Sequence, residues 1–214
     1  METAVVFNPF GMPITDTVFF TWIVMAILVV GSWVLTRNLQ RIPRGAQHVL
    51  ELAVDGIEKA TTDSMGKRGR GYVPLILTTA AFVFVSNVIG IFPGAKAPTA
   101  DLGTTVALAI IIFITAHGAE IFKKGLLGYI KGYFEPFWWM FPMNLMGEIS
   151  KILSHSFRLY GNIFGGAIIL SIFYMLAPYV VPVPLMVWFG LFMGIIQTAV
   201  FTLLAIAYIQ VRLE

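Results

Sequence analysis

Five apolar runs, each long enough to cross the hydrocarbon core of a bilayer, constrain this chain more than any other feature of its sequence. A helix needs about 20 predominantly apolar residues to span that core. The runs cover residues 16–35, 72–92, 102–122, 138–176 and 185–211. They predict an all-α, polytopic membrane protein with five membrane-crossing helices in a single integral membrane domain over residues 1–214.

The composition agrees with lipid as the main solvent. The chain is 58% hydrophobic and only 12% charged, against about 25% charged residues in a soluble domain. It has no cysteine, which excludes disulfides and thiolate chemistry. The residues before the first run lack the basic stretch and cleavage site of a secretory signal, so we expect that run to remain as a span.

Between the first two runs, residues 45–65 have an amphipathic pattern. Val49 and Ile57 fall on one side of a helix and Glu51 and Asp55 on another. This pattern predicts a helix lying at the membrane surface.

The basic residues predict the topology. Eleven of the fourteen Lys and Arg residues fall in alternate connections, and Lys96 alone falls on the opposite side. Basic loops face the cytoplasm, so we expect the N-terminus outside and the C-terminus inside. The basic residues flank apolar runs instead of forming one face, so we expect no nucleic-acid partner despite the net charge of +3.

The fourth run carries a stripe of polar residues. Glu148, Lys151, His155, Arg158 and Asn162 follow one another at spacings of three, four, three and four, and Ser154 widens the stripe. These spacings place the residues on one helix face over roughly 21 Å. Because intramembrane charges are costly in lipid, the stripe must face protein, water or another charge.

Arg158 is the most informative member of the stripe. Glu148 and Lys151 fit an internal i,i+3 pair, and Lys151 or Arg158 could instead reach the inner surface with its long side chain. Arg158, however, lies deep in its run and has no acidic residue a helical turn away. We therefore expect its partner in another chain or in a solvated cavity. Since arginine stays protonated, it suits a fixed positive barrier and not a proton relay.

Other polar residues lie near the ends or the middle of the remaining runs. Gln197 needs a partner in an apolar span, and Arg158 or Asn162 could supply it. Asp101 fits a helix N-cap that also attracts cations to an outer vestibule. His117 and Glu120 lie at i,i+3 near the inner end of the third run. The histidines match no metal-ligand spacing and no nucleotide motif is present, so we assign no metal site and no cofactor.

The segment SFRLYGN, preceded by NLMGEISK and followed by Gly165 and Gly166, closely resembles the signature helix of subunit a of F-type ATP synthases. APTADLGTTVALA and the last run with Gln197 resemble other parts of the same family, so the resemblance covers nearly the whole chain. It implies a non-catalytic, ion-translocating stator in a bacterial-type inner membrane. The last two helices would form a long, tilted hairpin against a ring of c subunits, with peripheral stalk subunit b as another partner.

The resemblance also implies roles for individual residues. Arg158 matches the essential arginine that faces the ring carboxylate and separates two offset half-channels. The outer half-channel would be lined by Asp101, Asn162 and Gln197. Candidate lining residues on the inner side are Glu148, Lys151, Ser154, His155, His117 and Glu120.

The chain departs from a common family pattern at two positions. Ala167 and Gly190 stand where many proton-driven relatives carry ionisable residues. This departure is compatible with sodium and with protons that move along water, and of the two we favour sodium. The alternative function is an independent cation-coupled secondary transporter, whose usual signs are paired repeats and broken helices. An assembly protein would not explain the polar stripe.

Overall fold

The computed structural model describes residues 5–7, 14–37, 40, 45–92, 95–134, 137–177 and 181–213. Its α-helices are α1 (Asp16–Thr36), α2 (Ala46–Met65), α3 (Val73–Ile89), α4 (Leu102–Tyr133), α5 (Phe141–Leu176), α6 (Pro182–Val187) and α7 (Met193–Leu213). A π-helical turn at Trp188–Phe192 joins α6 to α7. Five helical stretches of the described chain are long and apolar enough to cross a membrane, which confirms the predicted all-α polytopic class.

One short element was not predicted. Strand β1 (Val5–Phe7) pairs antiparallel with strand β2 (Ile14–Thr15) immediately before α1. Strands of three and two residues are too short to show the alternation of polar and apolar residues from which a strand is predicted. This hairpin leads into α1, whose first residue is Asp16. The Asp16 Oδ2 forms an ion pair with the Lys96 Nζ over 2.5 Å.

Two helices are longer than the apolar runs on which the predictions rested. α4 continues to Tyr133 because Gly125 adopts φ +75° and lets a second helical piece follow at a kink. The last span begins at Pro182, and not at residue 185, since proline is well suited to the first turn of a helix. Hydropathy does not detect either extension.

Helix α4 lies at the centre of the bundle and packs against α5 and α7, while α7 also packs against α3. A fully apolar core fills the space between these helices and consists of Val83, Leu108, Ile112, Leu159, Phe201 and Ala205. Helix α1 contacts α3 and the short helical turn at Pro98–Ala100, and it is otherwise mostly exposed. The described bundle is therefore held together by α3, α4, α5 and α7.

The bundle has two ends, which we name by its geometry. The inner end is the one where α4 and α7 finish and α5 begins. Helix α2 packs at that end, with Ile57 against a second core formed by Ile76, Ala116, Ile206 and Ile209. Val49 and Leu52, on its N-terminal half, remain exposed. Its position at a membrane surface and the inside location of the basic loops stay predictions, and Arg41 and Arg44 lie outside the described residues.

Candidate functional site

The boundary between buried and exposed surface runs along the polar stripe of α5. At 100° per residue the five predicted residues spread over about 80° of the helix, which is enough for their surroundings to differ. Glu148 and His155 are buried, Lys151 and Asn162 are half-buried, and Arg158 and Ser154 are exposed. The stripe therefore divides into a part that faces the other helices and a part that faces away from them.

The outward part forms what we call the open strip, composed of Ser154, Arg158, Gly161 and Gly165. Arg158 makes no hydrogen bond or ion pair with any residue that the structure describes. A Cβ atom added at Gly161 or Gly165 would meet no atom within 4 Å. The open strip thus combines an exposed cation with small residues that allow another helix to approach closely.

On the inward side, Asn162 and Gln197 pair across α5 and α7. The Asn162 Nδ2 donates to the Gln197 Oε1 over 2.5 Å, and Gln197 is only 4% exposed. This hydrogen bond confirms that Gln197 finds its partner on α5, at Asn162. Gly166 allows the nearby contact, since a Cβ there would lie 3.1 Å from the ring of Phe189.

A second buried polar group lies on α3 and was missed by the sequence analysis. The Thr99 Oγ1 donates to the Asn87 Oδ1 over 2.9 Å. The Asn87 Nδ2 and the Ser86 Oγ have no hydrogen-bond partner among the described residues. Asn87 packs directly against Gly194, one turn before Gln197. The sequence signal for this polar group is the adjacent pair Ser86 and Asn87 inside the apolar run 72–92.

Asp101 caps α4 as predicted. Its carboxylate accepts a 3.3 Å hydrogen bond from the backbone N–H of Gly103. Asp101 lies at the outer end of the bundle, two residues after Thr99. Whether it also attracts cations to an outer vestibule stays a prediction.

At the inner end, three helices meet in an ion-pair network that we call the inner cluster. Its carboxylates are Glu120 on α4 and Glu148 on α5, and both are buried. Arg212, on the last turn of α7, binds Glu120 over 2.7 Å and Glu148 over 2.5 Å. Lys124 and Lys151 complete the cluster at 3.1 Å from Glu120 and 2.7 Å from Glu148.

The inner cluster confirms one expectation and adds a residue that sequence reasoning missed. Glu148 and Lys151 form the expected i,i+3 pair. In the sequence, Arg212 is one of the eleven basic residues in alternate connections and indicates only topology. Nothing in its local sequence shows that two acidic residues from other helices lie opposite it.

His117 extends the inner cluster towards two tyrosines. Its Nε2 lies 3.3 Å from the Glu148 Oε2, and its Nδ1 lies 3.0 Å from the Tyr129 hydroxyl. Tyr129 is in turn 2.9 Å from the Tyr133 hydroxyl. These tyrosines lie beyond the Gly125 kink, so the kink is what returns their hydroxyls to the bundle.

The inner cluster closes one end of a cavity of about 290 Å³ between α4, α5 and α7. The lining includes Ala109, Phe113, His117, Glu148, Lys151, Ile152, His155, Tyr208 and Arg212. His155 is 4% exposed, and neither of its ring nitrogens has a hydrogen-bond partner among the described residues. Most of the cavity lining is apolar, and its polar groups include those of His117, Glu148, Lys151, His155 and Arg212. The volume has room for several water molecules, which would lie beside these polar groups. The structure thus brings four predicted residues, His117, Glu148, Lys151 and His155, to one cavity.

The chain is similar to known proteins over nearly its whole length. The family model "ATP synthase A chain" matches residues 18–210. ATP synthase subunit a of Geobacter sulfurreducens is 41% identical over 203 residues, covering 93% of this chain and 88% of the relative. The subunit a of Moorella thermoacetica is 42% identical over 204 residues, covering 95% and 93%. The chain belongs to the ATP synthase subunit a family.

Membership of this family agrees with the multi-pass membrane fold. It also makes the chain a member of the ATP synthase complex. The structure also shows the surroundings of Gly190 and Ala167, the two positions that depart from the common family pattern. The space beside Gly190 is occupied by the side chain of Ile91, so a larger residue there would have to displace it. Ala167, one residue after Gly166, is half-buried.

Proposed function

We propose that this subunit a is the ion-translocating stator of a rotary ATP synthase, with Arg158 as the charge that separates two half-channels. The observation that carries the proposal is the open strip. An exposed arginine in a membrane-spanning helix, with no partner among the described residues, needs a counter-charge from another chain or a solvated cavity, and the open strip favours another chain. Gly161 and Gly165 beside it leave room for a partner helix.

The partner that fits best is a ring of c subunits that carries one carboxylate per subunit in the membrane. A permanently charged guanidinium pairs with a carboxylate as it arrives and favours release of the cation bound there. The same charge repels cations that would otherwise pass straight from one side to the other. The chain itself then catalyses no reaction, and it also contacts peripheral stalk subunit b. Its location is a bacterial inner membrane, with the N-terminus outside and the C-terminus in the cytoplasm.

The two access routes lie on opposite sides of a dry core. Asp101, Asn162 and Gln197 line the outer route. The inner route follows the inner cavity with His117, Glu148, Lys151 and His155, and reaches the open strip at Ser154, while Glu120 joins through the inner cluster. Leu159 and Phe201, both almost fully buried, lie between the two sets. An apolar plug of this kind supports two offset routes, because an unsolvated ion cannot cross it at an acceptable cost.

For the coupled ion we favour sodium over protons. Neither Ala167 nor Gly190 can titrate, and the Asn162–Gln197 pair offers amide groups that orient water or a cation. ATP-driven uptake of labelled sodium into proteoliposomes containing the purified complex, with and without a protonophore, tests this choice. Sodium uptake that persists with protonophore supports sodium. Acidification that protonophore abolishes, without primary sodium uptake, refutes it.

The role of Arg158 is tested by Arg158→Ala in the complete complex. The variant should assemble normally, since Arg158 is exposed and holds no other described residue in place. It should lose nearly all ATP-driven ion uptake. Arg68→Ala is a matched control, because Arg68 is exposed and makes no ion pair with the described residues. Full transport in the Arg158 variant would contradict the proposal and favour an assembly role, and transport by the isolated subunit would favour a secondary transporter.

A further inference from the structure

We propose that Arg212 is a positioning residue of the inner route, which holds the inner ends of α4, α5 and α7 together and prevents Glu120 and Glu148 from capturing cations. This proposal rests on the proposed function for the existence of that route. It concerns a residue that lies on a different helix from Arg158 and at the far end of the inner cavity.

The geometry of the guanidinium supports the positioning part. Its two terminal nitrogens bind different carboxylates, Nη1 to the Glu120 Oε2 and Nη2 to the Glu148 Oε1. Planar, forked donors let arginine bridge two acceptors at once, which a lysine cannot do with the same geometry. One side chain from the last turn of α7 therefore fixes the spacing of two other helices.

The distribution of charge supports the masking part. Glu148 also accepts from Lys151 and contacts His117, so both of its oxygens are occupied. Glu120 accepts from Lys124 on one oxygen and from Arg212 on the other. Both acidic side chains are more than four-fifths buried, with 6% and 11% exposed. With Arg212 in place neither carboxylate is free to bind a passing cation.

Removal of Arg212 would change what these residues present to the cavity. With Arg212 in place, no three acidic or histidine side chains of the described residues lie close enough together to hold a metal ion. Without the guanidinium, the two buried carboxylates would face each other across the space that it fills and could approach each other beside the imidazole of His117. One histidine and two carboxylates are a ligand set that Zn²⁺ accepts readily. A cation bound there would obstruct the inner route. Loss of masking by Arg212 would therefore make ion uptake sensitive to added cations, which loss of a purely structural role would not do.

The test measures inhibition of ATP-driven ion uptake by Zn²⁺ added on the side that the inner end faces, using the whole complex in proteoliposomes. Arg212→Gln should become at least about tenfold more sensitive to Zn²⁺ than the unaltered complex, because each carboxylate then keeps one lysine partner and loses the shared guanidinium. Arg212→Lys keeps the charge but reaches one carboxylate, and should have an intermediate sensitivity. Arg68→Gln, which removes an exposed arginine, should leave the sensitivity unchanged.

A charge-neutral variant separates masking from loosening. Glu120→Gln/Glu148→Gln/Arg212→Gln lacks the same bridges but leaves no free carboxylate, so it should assemble and lose the added Zn²⁺ sensitivity. If Arg212→Gln does not assemble, assembly of the triple variant together with intermediate sensitivity of Arg212→Lys supports the proposal. Unchanged sensitivity in both single variants, or a triple variant as sensitive as Arg212→Gln, overturns it. Arg158→Ala tests the proposed function separately, since loss of coupling there does not depend on Zn²⁺.

Discussion

The hydrogen bond between Asn162 and Gln197 makes the proposed outer route testable by a double-mutant cycle. The two amides join α5 to α7 over 2.5 Å in a place where Gln197 is almost fully buried. The variants are Asn162→Leu, Gln197→Leu and the combination of both. Leucine is close in size to either residue, so the change removes polarity more than volume.

The expected magnitudes follow from the surroundings of the pair. Loss of the Asn162 amide leaves Gln197 buried without a partner, which costs about 1–3 kcal/mol, and loss of the Gln197 amide leaves the half-buried Asn162 without one. If the intact pair stabilises the rate-limiting state of ion passage by about 1.4 kcal/mol, each single variant should slow ATP-driven ion uptake about tenfold. Coupling energies between polar residues in membrane helices average about 0.6 kcal/mol and reach about 1.7 kcal/mol. The double variant should therefore be about 3- to 18-fold faster than the product of the two single effects predicts.

The assay is the initial rate of ion uptake by complexes purified to equal subunit content, so that assembly defects are removed from the comparison. Thr198→Val is the matched control. The Thr198 hydroxyl donates to the Gly194 carbonyl within its own helix, and its loss should not change the rate. Single effects that multiply within error in the double variant would refute the idea that the two amides act as a unit.

Two further predictions concern the ends of the same site. Asp101→Ala removes the cap of α4 and should destabilise the subunit by about 1 kcal/mol, whereas Asp101→Asn, which can still accept from Gly103, should retain most of the stability in thermal denaturation of the purified complex. Gly161→Phe places a large side chain on the open strip, at a position where a Cβ atom meets no other atom within 4 Å, so the subunit should still insert in the membrane. Co-purification of c subunits should fall, and unchanged co-purification would show that no ring helix approaches the open strip.

The sequence was sufficient for features that depend on local patterns. Run length and hydropathy predicted five spanning helices, and a polar amide in an apolar span predicted that Gln197 would need a partner. The stripe on α5 was predicted as one face, whereas the structure divides it between buried Glu148 and exposed Arg158. Helical spacing gives the angle of a side chain around its own helix but does not show where neighbouring helices lie.

Features that depend on several helices were not predictable in this way. Arg212 lies between Val211 and Leu213 at the end of an apolar run and follows the common pattern of a basic residue at the inner end of a span. Only the packing of α4 against α5 and α7 places two carboxylates around it. Ser86 and Asn87 were overlooked for the opposite reason, because a short polar pair does not disrupt a strongly apolar run.

The two arginines of the last two helices show how surroundings decide the function of one residue type. Arg212 has two carboxylates within hydrogen-bond distance, so its charge is neutralised inside the subunit and its effect is on helix position. Arg158 has no such partner among the described residues, so its charge acts on whatever comes next to the open strip. A subunit with both charges paired could not attract a carboxylate from another chain, and one with both charges free would leave Glu120 and Glu148 buried with a single lysine partner each. Because Arg212 pairs with the buried carboxylates inside the subunit, the bundle remains stable while Arg158 keeps an exposed charge on the open strip.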